Sequence, residues 1–114
     1  MKGQAFNKRL RFALQGLYVA FCREHSVRAH LLAGSGVILV LLMTRPPAIW
    51  WAIAILTVGV VLMAELLNAA LETLADHLHP EQHPEIGAAK DIAAGAVLIA
   101  AIAAAMVAVA FWLR

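Results

Sequence analysis

The stretch AIWWAIAILTVGVVLMAELLNAALETLADHL, residues 48–78, decides the fold. Ala48–Ala64 contains no charged residue, as expected of a helix lying in hydrocarbon. Glu65 then follows, inside what reads as a membrane-spanning helix. A carboxylate at that depth has little water to solvate it, and an ionisable residue there marks a functional site by default. A helix turns 100° per residue, so Asn68, Glu72 and Asp76 fall within about 60° of Glu65 around the axis. One stripe therefore carries three carboxylates and a carboxamide. One reading of the stripe is a base together with ligands for a hard cation such as Mg²⁺, which takes one or two protein carboxylates and completes its shell with phosphate and water. The other is a polar seam that joins helices through hydrogen bonds. Asn68 alone favours the seam. Three acids without three matching cations on the helix favour chemistry.

The rest of the chain fits an integral membrane protein of one small domain. Of 114 residues, 63% are hydrophobic and 14% charged, against about 45–50% and 25% for soluble domains; the mean hydropathy is +0.82. Lys2, Lys8, Arg9 and Arg11 crowd the N-terminus, with Arg23 and Arg28 behind them; beyond these the cations are Arg45, Lys90 and Arg114. Because that basic cluster borders membrane segments, nucleic acid is not an expected partner. The single Cys22 excludes an internal disulfide. The N-terminus leads into an amphipathic stretch and not into the apolar core of a cleavable signal.

The expected fold is all-α: an N-terminal amphipathic surface helix over 5–24, then transmembrane helices over 27–44, 48–78 and 91–113, with a polar loop over 79–90. In the first helix Phe6, Leu10, Leu14, Leu17 and Phe21 recur every three or four residues, with Lys8, Arg11, Gln15 and Tyr18 opposite. Its basic face suits an anionic bilayer surface. Leu31–Met43 is too short to span alone, at about 20 Å, so that helix must borrow from Val27–His30 or lean on its neighbours. Pro46 and Pro47 end it, and Trp50 and Trp51 mark an interface. Pro80 and Pro84 break the chain after the second span. The last span is rich in Ala, with Gly95, so backbones are expected to approach closely there. The N-terminal cations place that end inside; the 79–90 loop then also faces the cytoplasm. Every acid except Glu65 can reach the cytoplasmic interface, and Glu65 lies about two turns deeper.

Three further groups carry possible chemistry. Glu24 and Arg28 are i,i+4 neighbours that can simply pair, or Glu24 can share a metal with Glu72. Lys90-Asp91 opens the last span, where Lys can neutralise phosphate and free helix N–H groups attract anions; the plainer reading is interfacial anchoring and capping. His77, His79 and His83 have metal-like spacing without Cys, and the neighbouring prolines favour a solvated loop. His25 and His30 read as interfacial. The sequence contains no G-x-x-x-x-G-K-[ST], G-x-G-x-x-G or nucleophile elbow.

Four segments together carry a resemblance: Phe12-Ala13-Leu14-x-Gly16; Phe21-x-x-Glu24-x-x-x-Arg28-x-His30; Glu65-Leu66-Leu67-Asn68-Ala69-Ala70-Leu71-Glu72 with Asp76; and Ala89-Lys90-Asp91-x-Ala93-Ala94-Gly95-Ala96-Val97-Leu98. Over roughly residues 8–100 the chain resembles the prokaryotic diacylglycerol kinase family, which includes the undecaprenol kinases. The resemblance implies transfer of the γ-phosphoryl of ATP to a membrane lipid alcohol, with Mg²⁺ as cofactor. It implies a homotrimer in the bacterial inner (cytoplasmic) membrane, with active sites shared between subunits. Residue by residue, it makes Glu65 the general base and gives Mg²⁺ and nucleotide to Glu24 and Glu72. Lys90 and Asp91 then contact ATP, Glu81 and His83 approach the nucleotide from the loop, and Asn68 and Asp76 support the site. Ala5 and Phe12 stand where some members have a nucleotide-contacting Arg and Tyr, and Ala94 where some have Ser. Ala93–Ala96 is closer to the undecaprenol branch, whereas the loop length is closer to the diacylglycerol branch.

The expectation is thus a lipid kinase acting on diacylglycerol, with undecaprenol as the alternative substrate. A small proton-coupled transporter is the rival from another class, but it would need four spans and one buried acid. A structural protein whose polar seam only joins helices is the second rival.

Overall fold

The computed structural model describes Gly3 and residues 5–114; Lys2, one of the N-terminal cations, lies outside the described residues. Four helices follow in order: α1 Phe6–Arg23, α2 His25–Thr44, α3 Ala48–Leu78 and α4 Pro84–Leu113. α2, α3 and α4 are each long and apolar enough to cross a membrane. α3 and α4 pack as an antiparallel pair, α2 lies against α3, and α1 packs mainly against α2.

α2 has 20 residues, about 30 Å of helix, so it does borrow the extra turn that its apolar run lacked. Arg45 ends it in the left-handed region, at φ 47° and ψ 57°, with its N–H donating to the Leu41 carbonyl at 2.9 Å. Pro46 and Pro47 then forbid helix, and α3 restarts on Pro47 as N-cap. α3 has 31 residues, about 46 Å. Counted from Ala48, about 30 Å of hydrocarbon is used up near Asn68. Glu65 falls just inside that boundary, and Glu72 and Asp76 beyond it.

The interior is a thin seam. α2 contributes Val27, Gly34 and Leu41, a seven-residue spacing; α3 contributes Val61, Glu65 and Ala69, a four-residue spacing. Glu65 thus occupies a place on the buried stripe where periodicity asks for an apolar side chain. The close approach expected at Gly95 is found instead at Gly34. A Cβ on Gly34 would lie 3.2 Å from Val58 Cγ1, whereas Gly95 has open space around it. At the end remote from Glu65, Trp50 meets Phe111 edge to face at 5.4 Å, and the Arg114 guanidinium lies 4.0 Å over the Phe111 ring.

Two expectations are corrected. The loop expected over 79–90 is shorter, because α4 begins at Pro84, earlier than residue 91. Proline is tolerated at a first helical position, where its missing N–H has no partner to lose. His83 caps the start, its Nδ1 accepting the Glu85 N–H at 3.1 Å. Glu24 and Arg28 do not pair. The helix breaks at Glu24, whose backbone is extended at φ −103° and ψ 111°, so the spacing rule for one continuous helix does not apply. Arg28 instead donates from Nη1 to the Phe21 and Cys22 carbonyls, at 2.7 and 3.1 Å. It thereby satisfies carbonyls that the end of α1 leaves free.

Candidate functional site

The Glu65 side chain is only 8% exposed, and Glu65 makes no hydrogen bond among the described residues. Its nearest charge-bearing contact is His30 on α2, with Nδ1 3.6 Å from Oε1. His30 is therefore not merely interfacial. It packs where α2 crosses α3, a contact that spacing along one helix cannot reveal. His30 also lines an apolar groove of about 500 Å³ between α2, α3 and α4, which runs past Gly34 and Val58 towards Trp50 and Phe111. One turn after Glu65, the Asn68 Oδ1 is buried with no hydrogen-bond partner among the described residues. An orphaned carboxamide oxygen beside a buried acid offers an acceptor to a hydroxyl, an ammonium or a metal-bound water.

Further along α3, Asp76 accepts a hydrogen bond from the Lys90 ammonium of α4. The Glu72 carboxylate acts electrostatically on the same ammonium. Asp76, Glu81, His83 and Lys90 line one polar cleft of about 530 Å³. Because His83 Nδ1 accepts from Glu85, its proton in the neutral ring sits on Nε2, an available donor. His79 folds over the loop, its Nδ1 donating to the Glu81 carbonyl at 2.7 Å and its ring lying edge-on to His83 at 5.5 Å. The cleft thus offers an ammonium and an imidazole N–H to an anion.

The remaining sequence candidates lie apart in the single chain. Asp91 is exposed and lines neither cavity. Glu24 sits at the α1–α2 junction, half-buried, and likewise lines neither. Neither Glu24 nor Glu72 is engaged in an ion pair among the described residues. Their donor chemistry fits Mg²⁺: hard carboxylate oxygens outside any ion pair among the described residues, on a protein that need supply only one or two of them. Among the described residues no three His, Cys, Asp or Glu side chains converge as a preformed metal cage. Sequence reasoning passed over His30 as a partner of Glu65 and Arg28 as a cap of α1.

Comparison with known proteins now bears on this arrangement. Residues 11–112 match the family described as prokaryotic diacylglycerol kinase. The chain is 41% identical over 98 residues to a diacylglycerol kinase of Synechocystis sp., covering 85% of this chain and 56% of that relative. It is 33% identical over 97 residues to the undecaprenol kinase of Bacillus subtilis, covering 85% and 79%. It is 32% identical over 93 residues to the diacylglycerol kinase of Escherichia coli, covering 82% and 76%. The chain thus spans only about half the length of the Synechocystis relative.

Proposed function

The chain belongs to the prokaryotic diacylglycerol kinase family, and from that premise we propose that it transfers the γ-phosphoryl of Mg-ATP to the hydroxyl of diacylglycerol, giving phosphatidic acid. The observation that carries the reading is the buried Glu65 just inside the hydrocarbon boundary, with the polar cleft of Asp76, Glu81, His83 and Lys90 beyond it. A lipid alcohol whose tails stay in the bilayer reaches the first, and a soluble nucleotide reaches the second. Diacylglycerol is favoured over undecaprenol by the higher identity to the Synechocystis diacylglycerol kinase.

In the reaction, the lipid oxygen forms a bond to the γ-phosphorus. The bond from that phosphorus to the bridging oxygen of ADP breaks, and the hydroxyl proton passes to the Glu65 carboxylate. Phosphoryl transfer asks mainly for positioning and charge neutralisation. Glu24 and Glu72 would hold Mg²⁺, which supplies charge neutralisation on the phosphate oxygens. Lys90 leaves its pairing with Asp76 to meet phosphate, the His83 Nε2–H and Asp91 orient the nucleotide with Glu81, and Asn68 Oδ1 steadies the groups around the base.

The same reading puts the protein in the bacterial inner membrane, with α1 on its cytoplasmic surface and the 79–83 loop on the same side, as the N-terminal cations favour. It makes the assembly a homotrimer with shared sites. Much of the apolar surface of the single chain is exposed, and Glu24 lines neither cavity, so a neighbouring subunit is the natural source of the missing walls. The test is ³²P transfer from ATP in mixed micelles, with diacylglycerol and undecaprenol offered side by side. Label in phosphatidic acid supports the reading. Label in undecaprenyl phosphate alone moves the substrate to the other branch, and label in neither lipid overturns the kinase.

A further inference from the structure

We propose that His30 is the positioning residue of Glu65, the group that aims its carboxylate; the inference rests on the reading of Glu65 as the base. The tautomer of His30 follows from its other contact. Its Nδ1 lies 2.8 Å from the Ser26 carbonyl oxygen, and a carbonyl only accepts, so Nδ1 carries a proton. That proton is donated to Ser26, and Glu65 Oε1 lies 3.6 Å from the same nitrogen, beyond hydrogen-bond distance. The imidazole is thus pinned from its own helix with the acid of the neighbouring helix beside its Nδ1–H, in the place of a second acceptor for that proton. Four residues on, Gly34 lets α2 approach α3 until Val58 would touch any added Cβ at 3.2 Å, which fixes the register of the two helices at this level. Glu65 makes no hydrogen bond of its own among the described residues. A buried carboxylate without one has several rotamers open to it, and a base must be held within hydrogen-bond reach of the proton it takes. The Nδ1–H, shared between the Ser26 carbonyl and Oε1, is the α2 donor placed to select among those rotamers.

Side-chain amides separate the two ring nitrogens, because the nitrogen of Asn overlays Nδ1 and that of Gln overlays Nε2. The experiment measures kcat and KM for Mg-ATP in mixed micelles with diacylglycerol for wild type, His30→Leu, His30→Asn, His30→Gln and Glu65→Gln. Losing a donor shared with Ser26 predicts a kcat about two- to tenfold lower in His30→Leu, with KM for Mg-ATP unchanged. His30→Asn should recover most of the loss and His30→Gln should not. The unchanged KM doubles as evidence that the nucleotide site is assembled. Wild-type kcat in His30→Leu, a raised KM for Mg-ATP, no recovery in His30→Asn, or recovery in His30→Gln instead would each overturn the assignment. The premise is read separately. Turnover surviving in Glu65→Gln removes the base itself, whereas an inactive Glu65→Gln beside an active His30→Leu removes only the role of His30.

Discussion

At one end of the α3–α4 pair, Trp50 meets Phe111 edge to face and Arg114 lies over the Phe111 ring. At the other end Asp76 accepts from Lys90, the Glu72 carboxylate acts electrostatically on the same ammonium, Glu65 is buried, and the buried Asn68 Oδ1 lacks a partner among the described residues. Both ends join the same two helices. The first does so with rings, an arrangement that suffices for packing and leaves little to explain. The second holds acids and an orphaned carboxamide oxygen that packing does not require. In a membrane, helices gain little from the hydrophobic effect against one another and rely on close packing and polar contacts. That this end carries more polar groups than it pairs is what supports the proposed chemistry there.

The sharpest way to break that contrast is one substitution at each end. Glu65→Gln keeps the shape and removes the base, so turnover should fall by about 10²- to 10⁴-fold while Mg-ATP binding survives; kinase assays and nucleotide titration read both. Phe111→Leu, at the other end, should leave turnover near wild type. Near-normal turnover in Glu65→Gln would reduce the polar end to glue. A smaller effect separates metal from base: Glu72→Gln or Glu24→Gln should raise KM for Mg-ATP by about ten- to a hundredfold, and added Mg²⁺ should recover part of the loss.

The aromatic end is tested by stability. Phe111→Ala loses an edge-to-face pair with Trp50 and the Arg114 contact, about 0.5–1.5 kcal/mol for the aromatic pair. Thermal unfolding in detergent should report that loss with activity intact at low temperature. A large fall in kcat instead would mean that the two ends are not independent.

What the sequence made legible follows the same division. The bounds of α3 could be read because Pro46-Pro47 and the tryptophans mark its start and its apolar run is unbroken to Glu65. The acidic stripe could be read because it lies along one helix. The start of α4 lies earlier than the prolines suggest, because a proline breaks a helix from within but Pro84 followed by Glu85 is also how one begins. The pairing open to Glu24 and Arg28 rests on a spacing that holds only in continuous helix, and the chain bends at Glu24 itself. His30 against Glu65 was illegible for a different reason: it depends on how closely α2 approaches α3, set by Gly34 and Val58, and no periodicity within one helix carries that information.

The smallest expected effect is the most diagnostic of how the polar end works. Asp76 and Lys90 are linked, yet Asp76 is 64% and Lys90 33% exposed at the side chain, and an ion pair so exposed adds little to stability. Asp76→Asn should therefore lower stability only slightly, and the difference should shrink as salt is raised. If Asp76 only braces Lys90 for phosphate, the variant should raise KM for ATP modestly. If Asp76 instead competes with phosphate for Lys90, releasing the ammonium should lower KM, by no more than about threefold given the weakness of the pair. The Lys90 ammonium sits in one cleft with His83 and Glu81 and already feels Glu72 beside Asp76, so removing one of two negative neighbours leaves it held but less occupied. The competing role is the one that this arrangement favours, and a fall in KM for ATP that disappears at high ionic strength is its signature.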